Sequence, residues 1–365
     1  FRAMQDAHCK LGNIFTTYRD NIDGDKESYG CHESYQILRE TPWEKIRRNL
    51  TPFLISRAIL FGAGMIWPDG RFTYSARAEL TDTLEAERTT KGSRAVLGSR
   101  DESHLPEKLD RKYRRLHLTS GDTNVCQQAT VNKLSITALV LSMVEAGVDL
   151  SSRYPRNPVT AMKRLNANVL GTNYMKSVSK KMVNAWDIQR YICDQAIVFV
   201  EWAASHNEVP EWVMPTLRRW DRLLTDLKTH NPDDWSSSAR EIDWWAKWHL
   251  LQLYKAENPK AGWEELFSVS LQYHNIDPNE SLAYGMINDG MLARCFSDQQ
   301  LENSVTVPPN HIRAQQRGEV VQQIVGGNRQ IRDLGWESFM VAGKEEYFDF
   351  PEPELWRVRE KLRNL

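Results

Sequence analysis

The β-branched and aromatic run at 14–19 predicts a β-strand, and residues 28–38, 94–100 and 113–120 read as further strands. The turn-forming stretch 21–26 lies between segments 14–19 and 28–38, so residues 14–38 read as a hairpin. Pro68-Asp69-Gly70, flanked by Ile66-Trp67 and Phe72-Thr73-Tyr74, reads as a second hairpin. Thr41-Pro42-Trp43-Glu44 predicts a helix start, with Thr41 as N-cap, Pro42 at N1 and Glu44 at N3, running to about Leu60. A long apolar helix over residues 128–147 ends at Gly147. Residues 153–173 carry little periodicity and several Pro, Asn and Gly, and read as mixed loop. Residues 187–254 are helical in pattern, broken near Pro210 and at Asn231-Pro232. Beyond Pro308-Pro309 come a helix (312–324) and a hairpin (336–350). Strands and helices first, then helices, then a small tail: this order predicts an α+β fold, an antiparallel sheet with helices on one side. The domains expected are 1–290 and a small C-terminal domain, 291–365.

The composition narrows the class. The chain has 365 residues, with Lys+Arg 47 against Asp+Glu 48, a formal net charge of -1. That balance offers no basic stripe for nucleic acid or a membrane surface. The 13 tryptophans predict a core rich in aromatic area. Five cysteines at 9, 31, 126, 193 and 295 form no CxxC pair, so a reducing, cytoplasmic setting is expected. No segment reads as a membrane span or a signal peptide, since the longest apolar runs contain Ser, Thr and Glu. The chain opens on Phe1 in mid-helix sequence, with Met4, Leu11 and Ile14, and further residues are expected before it.

Standard phosphate-loop, dinucleotide and zinc motifs are absent. Asn21-Ile-Asp23-Gly24 mimics half a calcium loop, but Gly30 stands where a bidentate Glu belongs, so a turn is the better reading. Three polar clusters remain. In Cys31-His32-Glu33-Ser34-Tyr35 the side chains alternate, so His32 and Glu33 face opposite ways. Ser99-Arg100-Asp101-Glu102-Ser103-His104 is a charged strand end, where a forked Arg suits a phosphate. In residues 113–124, Arg115, His117 and Thr119 share a strand face, and a Gly-Asp-x-Asn turn places Asp122 and Asn124 at its end. By residue type and spacing, these positions make a polar seam on an antiparallel sheet, as well able to be structural as catalytic.

At these residues the chain resembles the Pup ligase and Pup deamidase/depupylase family, relatives of glutamine synthetase and the carboxylate-amine ligases. The matching stretches are YRDNIDGDKESYGCHESY (18–35), LTPFLISRAILFGAG (50–64), FTYSARAE (72–79), SRDESH (99–104), YRRLHLTSGDTN (113–124), LSMVEAG (141–147), REIDWWAKWHLL (240–251), LQYHNIDPNESL (271–282) and PPNHIRAQQRGE (308–319). The resemblance implies a curved antiparallel sheet packed by helices, cradling ATP and Mg²⁺, plus the small C-terminal domain. It implies a ligase that phosphorylates the γ-carboxylate of the C-terminal Glu of a Pup-like modifier and passes it to lysines of protein substrates. The alternatives are the deamidase/depupylase of the same family and a non-catalytic modifier-binding paralogue. Carried over by position, His32 and His117 would be metal or phosphate contacts. Arg77 and Arg100 would face phosphate, Asn124 with Asp122 would shape the loop beside the nucleotide, and Trp336 would approach the adenine. The family's Glu-x-Glu strand and its catalytic Asp are expected before Phe1, so no residue present is assigned as catalytic. Ser34 stands where the family usually has Asn, and Ser103 where it usually has Pro.

Overall fold

Segments 28–38, 94–100 and 113–120 contribute strands to one sheet, with helices packed around it, whereas among the described residues of 14–19 Tyr18 makes an isolated bridge to Asn275 rather than a hairpin with 28–38. The computed structural model describes residues 7, 10, 12, 16–24, 27–88, 90, 92–101, 111–167, 173–206, 209–327, 330–344 and 347–351. Strand β1 (Cys31–Leu38) leads to α1 (Trp43–Ser56) and the single turn α2 (Ala58–Phe61). The short hairpin β2 (Met65–Ile66) and β3 (Phe72–Thr73) precedes α3 (Ala76–Leu80), β4 (Thr83–Ala86), β5 (Ala95–Gly98) and β6 (Tyr113–Gly121). Next come α4 (Gln127–Ala146), α5 (Pro158–Asn166) and the small ladder β7 (Met175–Lys176) with β8 (Met182–Val183). A helical layer follows: α6 (Ala185–His206), α7 (Val213–Thr229), α8 (Asp243–Glu257), α9 (Trp263–Tyr273) and α10 (Leu282–Asn288). Helices α11 (Asp298–Asn303) and α12 (Ile312–Val325) lead into the sheet of β9 (Ile331–Arg332), β10 (Ser338–Val341) and β11 (Tyr347–Asp349).

The fold is α+β. The main sheet has the order β1-β6-β5-β4. Its long β1/β6 pair is antiparallel, in the register Ser34↔His117 and Leu38↔Tyr113, with an irregularity between Cys31 and Glu33. One edge departs from the all-antiparallel expectation: β4 runs parallel to β5. The segment entering β5 is tied back to the start of β4, the amides of Gly92 and Arg94 donating to Asp82 Oδ2.

Helix α4 packs on the inner face of the sheet through Ile136, Val140, Met143 and Val144, all buried. By length and composition this helix could cross a membrane, contrary to the expectation from sequence, but most of its apolar residues are buried in the core. It ends where predicted, with Gly147 in the left-handed conformation at φ 106°. Trp220, Trp244 and Trp245 are among the largest fully buried side chains, as the tryptophan count implied.

The expected capping box before α1 does not form. The helix starts at Trp43, Pro42 occupies the cap position, and no side chain caps it. The Thr41 amide instead closes the turn from β1 by donating to the Leu38 carbonyl at 3.1 Å. The stretch read as mixed loop contains α5, which Asn157 caps and Pro158 opens. Met162 and Leu165 of that helix bury against the core, so packing rather than a long apolar pattern holds it. The reading of Asn21-Ile-Asp23-Gly24 as a turn holds: Asp23 accepts from the Glu27 amide and from the Tyr29 hydroxyl.

Candidate active site

The strand alternation of β1 divides its polar residues between two environments. On the inner side, Glu33 meets Arg57 in a two-pronged ion pair, 2.6 and 3.1 Å, with side chains only 3% and 4% exposed. The Tyr35 hydroxyl adds a third bond to Glu33 at 2.7 Å. Burial raises the Glu33 pKa, but Arg57 outweighs it and the carboxyl lies below its usual range.

The outer side carries the imidazoles. His32 Nδ1 and His117 Nε2 lie 3.1 Å apart, one ring edge-on to the other. Gly98 pairs with His117 across the ladder, and a Cβ at Gly98 would sit 2.9 Å from His117 Nδ1. The glycine leaves the space that the ring fills. Desolvation, then the charges of Arg115, His32 and Arg100, press the His117 pKa down to about 4. Desolvation followed by Arg77 and Arg115 lowers that of His32. Both rings are neutral at pH 7, one donating to the other. Arg115 lies on the same face and donates to Ser34 Oγ at 3.0 Å. Thr119, expected on that face, turns into the sheet and donates to the Ala95 carbonyl.

Arg77 lies at the end of this face. It is 3% exposed, donates to the Thr119 carbonyl at 3.0 Å and to Ser28 Oγ, and its Nε has no partner. An orphaned, buried guanidinium nitrogen beside two neutral imidazoles fits an anionic ligand, and phosphate matches its fork. Arg100 is exposed at the end of β5, and its charge reaches His117. Ser103 and His104 lie outside the described residues.

The Mg²⁺ expectation fares differently. Among the described residues no three His, Cys, Asp or Glu side chains group to hold a metal. Two imidazoles bonded to each other lack the oxygen donors that magnesium prefers. These residues do not make a magnesium site by themselves.

Asn124 is buried, and its amide nitrogen is committed to the Phe61 carbonyl and Asp243 Oδ2. It holds the loop after β6 from within. Trp336 is neither a core tryptophan nor near the imidazole pair in sequence or sheet. It is 59% exposed between β9 and β10, with the Arg317 guanidinium 4.3 Å over its ring. The two line a groove of about 720 Å³ with Pro308, Arg313 and Val321.

Two buried clusters escaped the sequence reading. One is Glu33–Arg57. The other joins Lys247 Nζ to the Gly64 carbonyl at 2.9 Å and to His274 Nε2 at 2.8 Å, with Asp20 3.7 Å from the same His nitrogen. Burial pushes Lys247 and His274 down and Asp20 up. The available signal was a charge inside an apolar run, Arg57 in residues 53–61 and Lys247 in residues 242–251, which demands a buried partner.

The family model described as Pup-ligase protein matches residues 1–340. The chain belongs to the Pup-ligase family. A Pup--protein ligase of Micrococcus luteus is 31% identical over 322 residues, 85% of this chain and 67% of that relative. One of Nocardioides sp. is 32% identical over 316 residues, with shares of 86% and 67%. Among solved structures, the Pup ligase PafA in complex with ADP superposes with a TM-score of 0.82 at 26% identity, covering 96% of this chain and 77% of that one. The complex between Pup and PafA superposes at 0.83 and 26%, with shares of 96% and 72%. This Pup-ligase chain therefore spans about two thirds of the length of these curated relatives.

Proposed function

We propose that this chain acts as an ATP-dependent ligase that joins the C-terminal Glu γ-carboxylate of a Pup-like modifier to lysines of other proteins. The observation that supports this reading is the outer sheet face, on which Arg77 with its orphaned Nε, Arg100 and the neutral His32–His117 pair converge. A carboxylate is a poor electrophile, so transfer to an amine needs a leaving group, and ATP supplies phosphate. Arg77 and Arg100 would bind phosphoryl oxygens and neutralise charge developing on them. Of His32 and His117, held neutral, the ring that accepts their mutual bond would keep its one N–H free to donate to those oxygens, without adding a proton to the leaving group. The loop held by Asn124 and Asp122 would border the nucleotide, and Trp336, backed by Arg317, would offer a ring face to its adenine. Magnesium, carried by the ATP phosphates, would neutralise part of their charge. The four described cysteines are free thiols, in keeping with a cytoplasmic setting for the modifier, its lysine-bearing targets and the enzyme.

Release of ADP tests the reading. With the chain, ATP and Mg²⁺, ADP should accumulate only when a Glu-ended modifier and a lysine-bearing protein are both present, in step with adduct. ADP release indifferent to both proteins would contradict it.

A further inference from the structure

Asp122 is a fully buried carboxylate one residue beyond β6, and none of the three groups it accepts from belongs to its own loop. Its Oδ2 accepts from the Ala63 amide at 2.9 Å, and its Oδ1 from Ser75 Oγ at 2.8 Å and the Arg77 amide at 3.2 Å. Two backbone amides and a hydroxyl turn hydrogens towards it, an arrangement that suits the ionised form although burial pushes its pKa up. Ser75 in turn caps α3, accepting from the Ala78 amide at 3.0 Å. Asp122 thus holds the first turn of α3, and Arg77 is the second residue of that helix.

The loop bearing Asp122 is itself pinned. Asp243 takes the Asn124 amide nitrogen and the Val125 and Cys126 backbone amides, at 2.9, 3.1 and 2.9 Å. Lys133 Nζ donates to the Asp122 carbonyl at 2.7 Å. The pinned loop fixes the carboxylate in place, so it acts as a post for α3. Arg77 has only neutral hydrogen-bond partners, Thr119 and Ser28, and the carboxylate of Asp122 is the chief charge sustaining its buried cation.

We propose that Asp122 is a positioning residue: by holding the Arg77 amide and Ser75, it aims the Arg77 guanidinium at a nucleotide phosphate on the outer sheet face. This rests on the reading of Arg77 as a phosphate contact, and the test separates the two. Calorimetric ADP binding is compared for the unaltered chain, Asp122→Asn, Arg77→Gln and the double variant. In the Asp122→Asn variant the new amide nitrogen would confront one of the donors, and the anion would be lost. Each single change should weaken ADP binding about tenfold or more. The double variant should bind no more weakly than Arg77→Gln alone, because Asp122 acts through Arg77. Losses that multiply would overturn the positioning role and leave the phosphate contact standing. Unchanged binding by Arg77→Gln would overturn the phosphate contact, and the positioning role with it. Should Asp122→Asn not fold, as judged by its melting curve, Ser75→Ala replaces it, keeping the carboxylate but removing its hydroxyl donor. That variant should weaken ADP binding several-fold on the natural background and not on the Arg77→Gln background. No change on either background would overturn the proposal.

Discussion

Strand alternation separates two neighbouring residues, His32 and Glu33, into a solvent-facing imidazole pair and a buried ion pair. That separation was legible in the sequence, because period two admits no other arrangement on a strand. The partner of Glu33 was not, since Arg57 is 24 residues away and only tertiary packing brings it there. Arg57→Met should cost about 3–5 kcal/mol in a denaturant titration, because it strands a carboxylate that is 3% exposed. A loss under about 1 kcal/mol would mean that water reaches Glu33. The imidazoles predict a pH response. The folded pKa of His117, about 4, lies below the ordinary 6.5, so the unfolded chain takes up its proton first as the pH falls. Stability from this group is complete above 6.5 and is lost between 6.5 and about 4. His32 and the fully buried His274 shift in the same direction. Melting temperatures from about pH 7 to about pH 4 should therefore fall less steeply for His117→Asn than for the natural chain. An equal or steeper fall would show that the ring titrates normally.

At the level of elements, long periodic segments were readable and short ones were not. Helix α4 declares itself by its apolar run and its terminal glycine, whereas α5 has nine residues and is held by the contacts of Met162 and Leu165. The parallel β4/β5 edge was hidden for a related reason: four-residue strands carry no signal of direction. The cap of α4 gives a direct check. Gly147→Ala places a side chain at φ 106° and should cost about 1–2 kcal/mol by chemical denaturation, with the helix content kept. A neutral effect would indicate that the cap relaxes to an ordinary conformation.

Across the whole molecule, the sheet supplies a cationic and imidazole face, the helical layer braces the loop behind it, and α12 with the turn before β10 adds a separate aromatic–guanidinium pair. The pattern of the chain foretold the tail helix and hairpin but not the exposure of Trp336, because one tryptophan beside a glycine carries no periodicity. Its exposure separates function from stability. Trp336→Ala should change stability by no more than about 0.5 kcal/mol, as expected of a surface site. The same variant should weaken ADP binding measurably if its ring meets adenine, and intact affinity would remove Trp336 from the nucleotide site.

The central claim is that the outer sheet face activates a modifier's γ-carboxylate for attack by lysine, and intact-protein mass spectrometry tests it most directly. The chain is incubated with ATP, Mg²⁺, a Glu-ended Pup-like modifier and a lysine-bearing protein. The predicted result is an adduct heavier than the target by the modifier's mass less one water, formed only with ATP. The contradicting result is no adduct, with the chain instead converting a Gln-ended modifier to Glu or stripping modifier from conjugates already made.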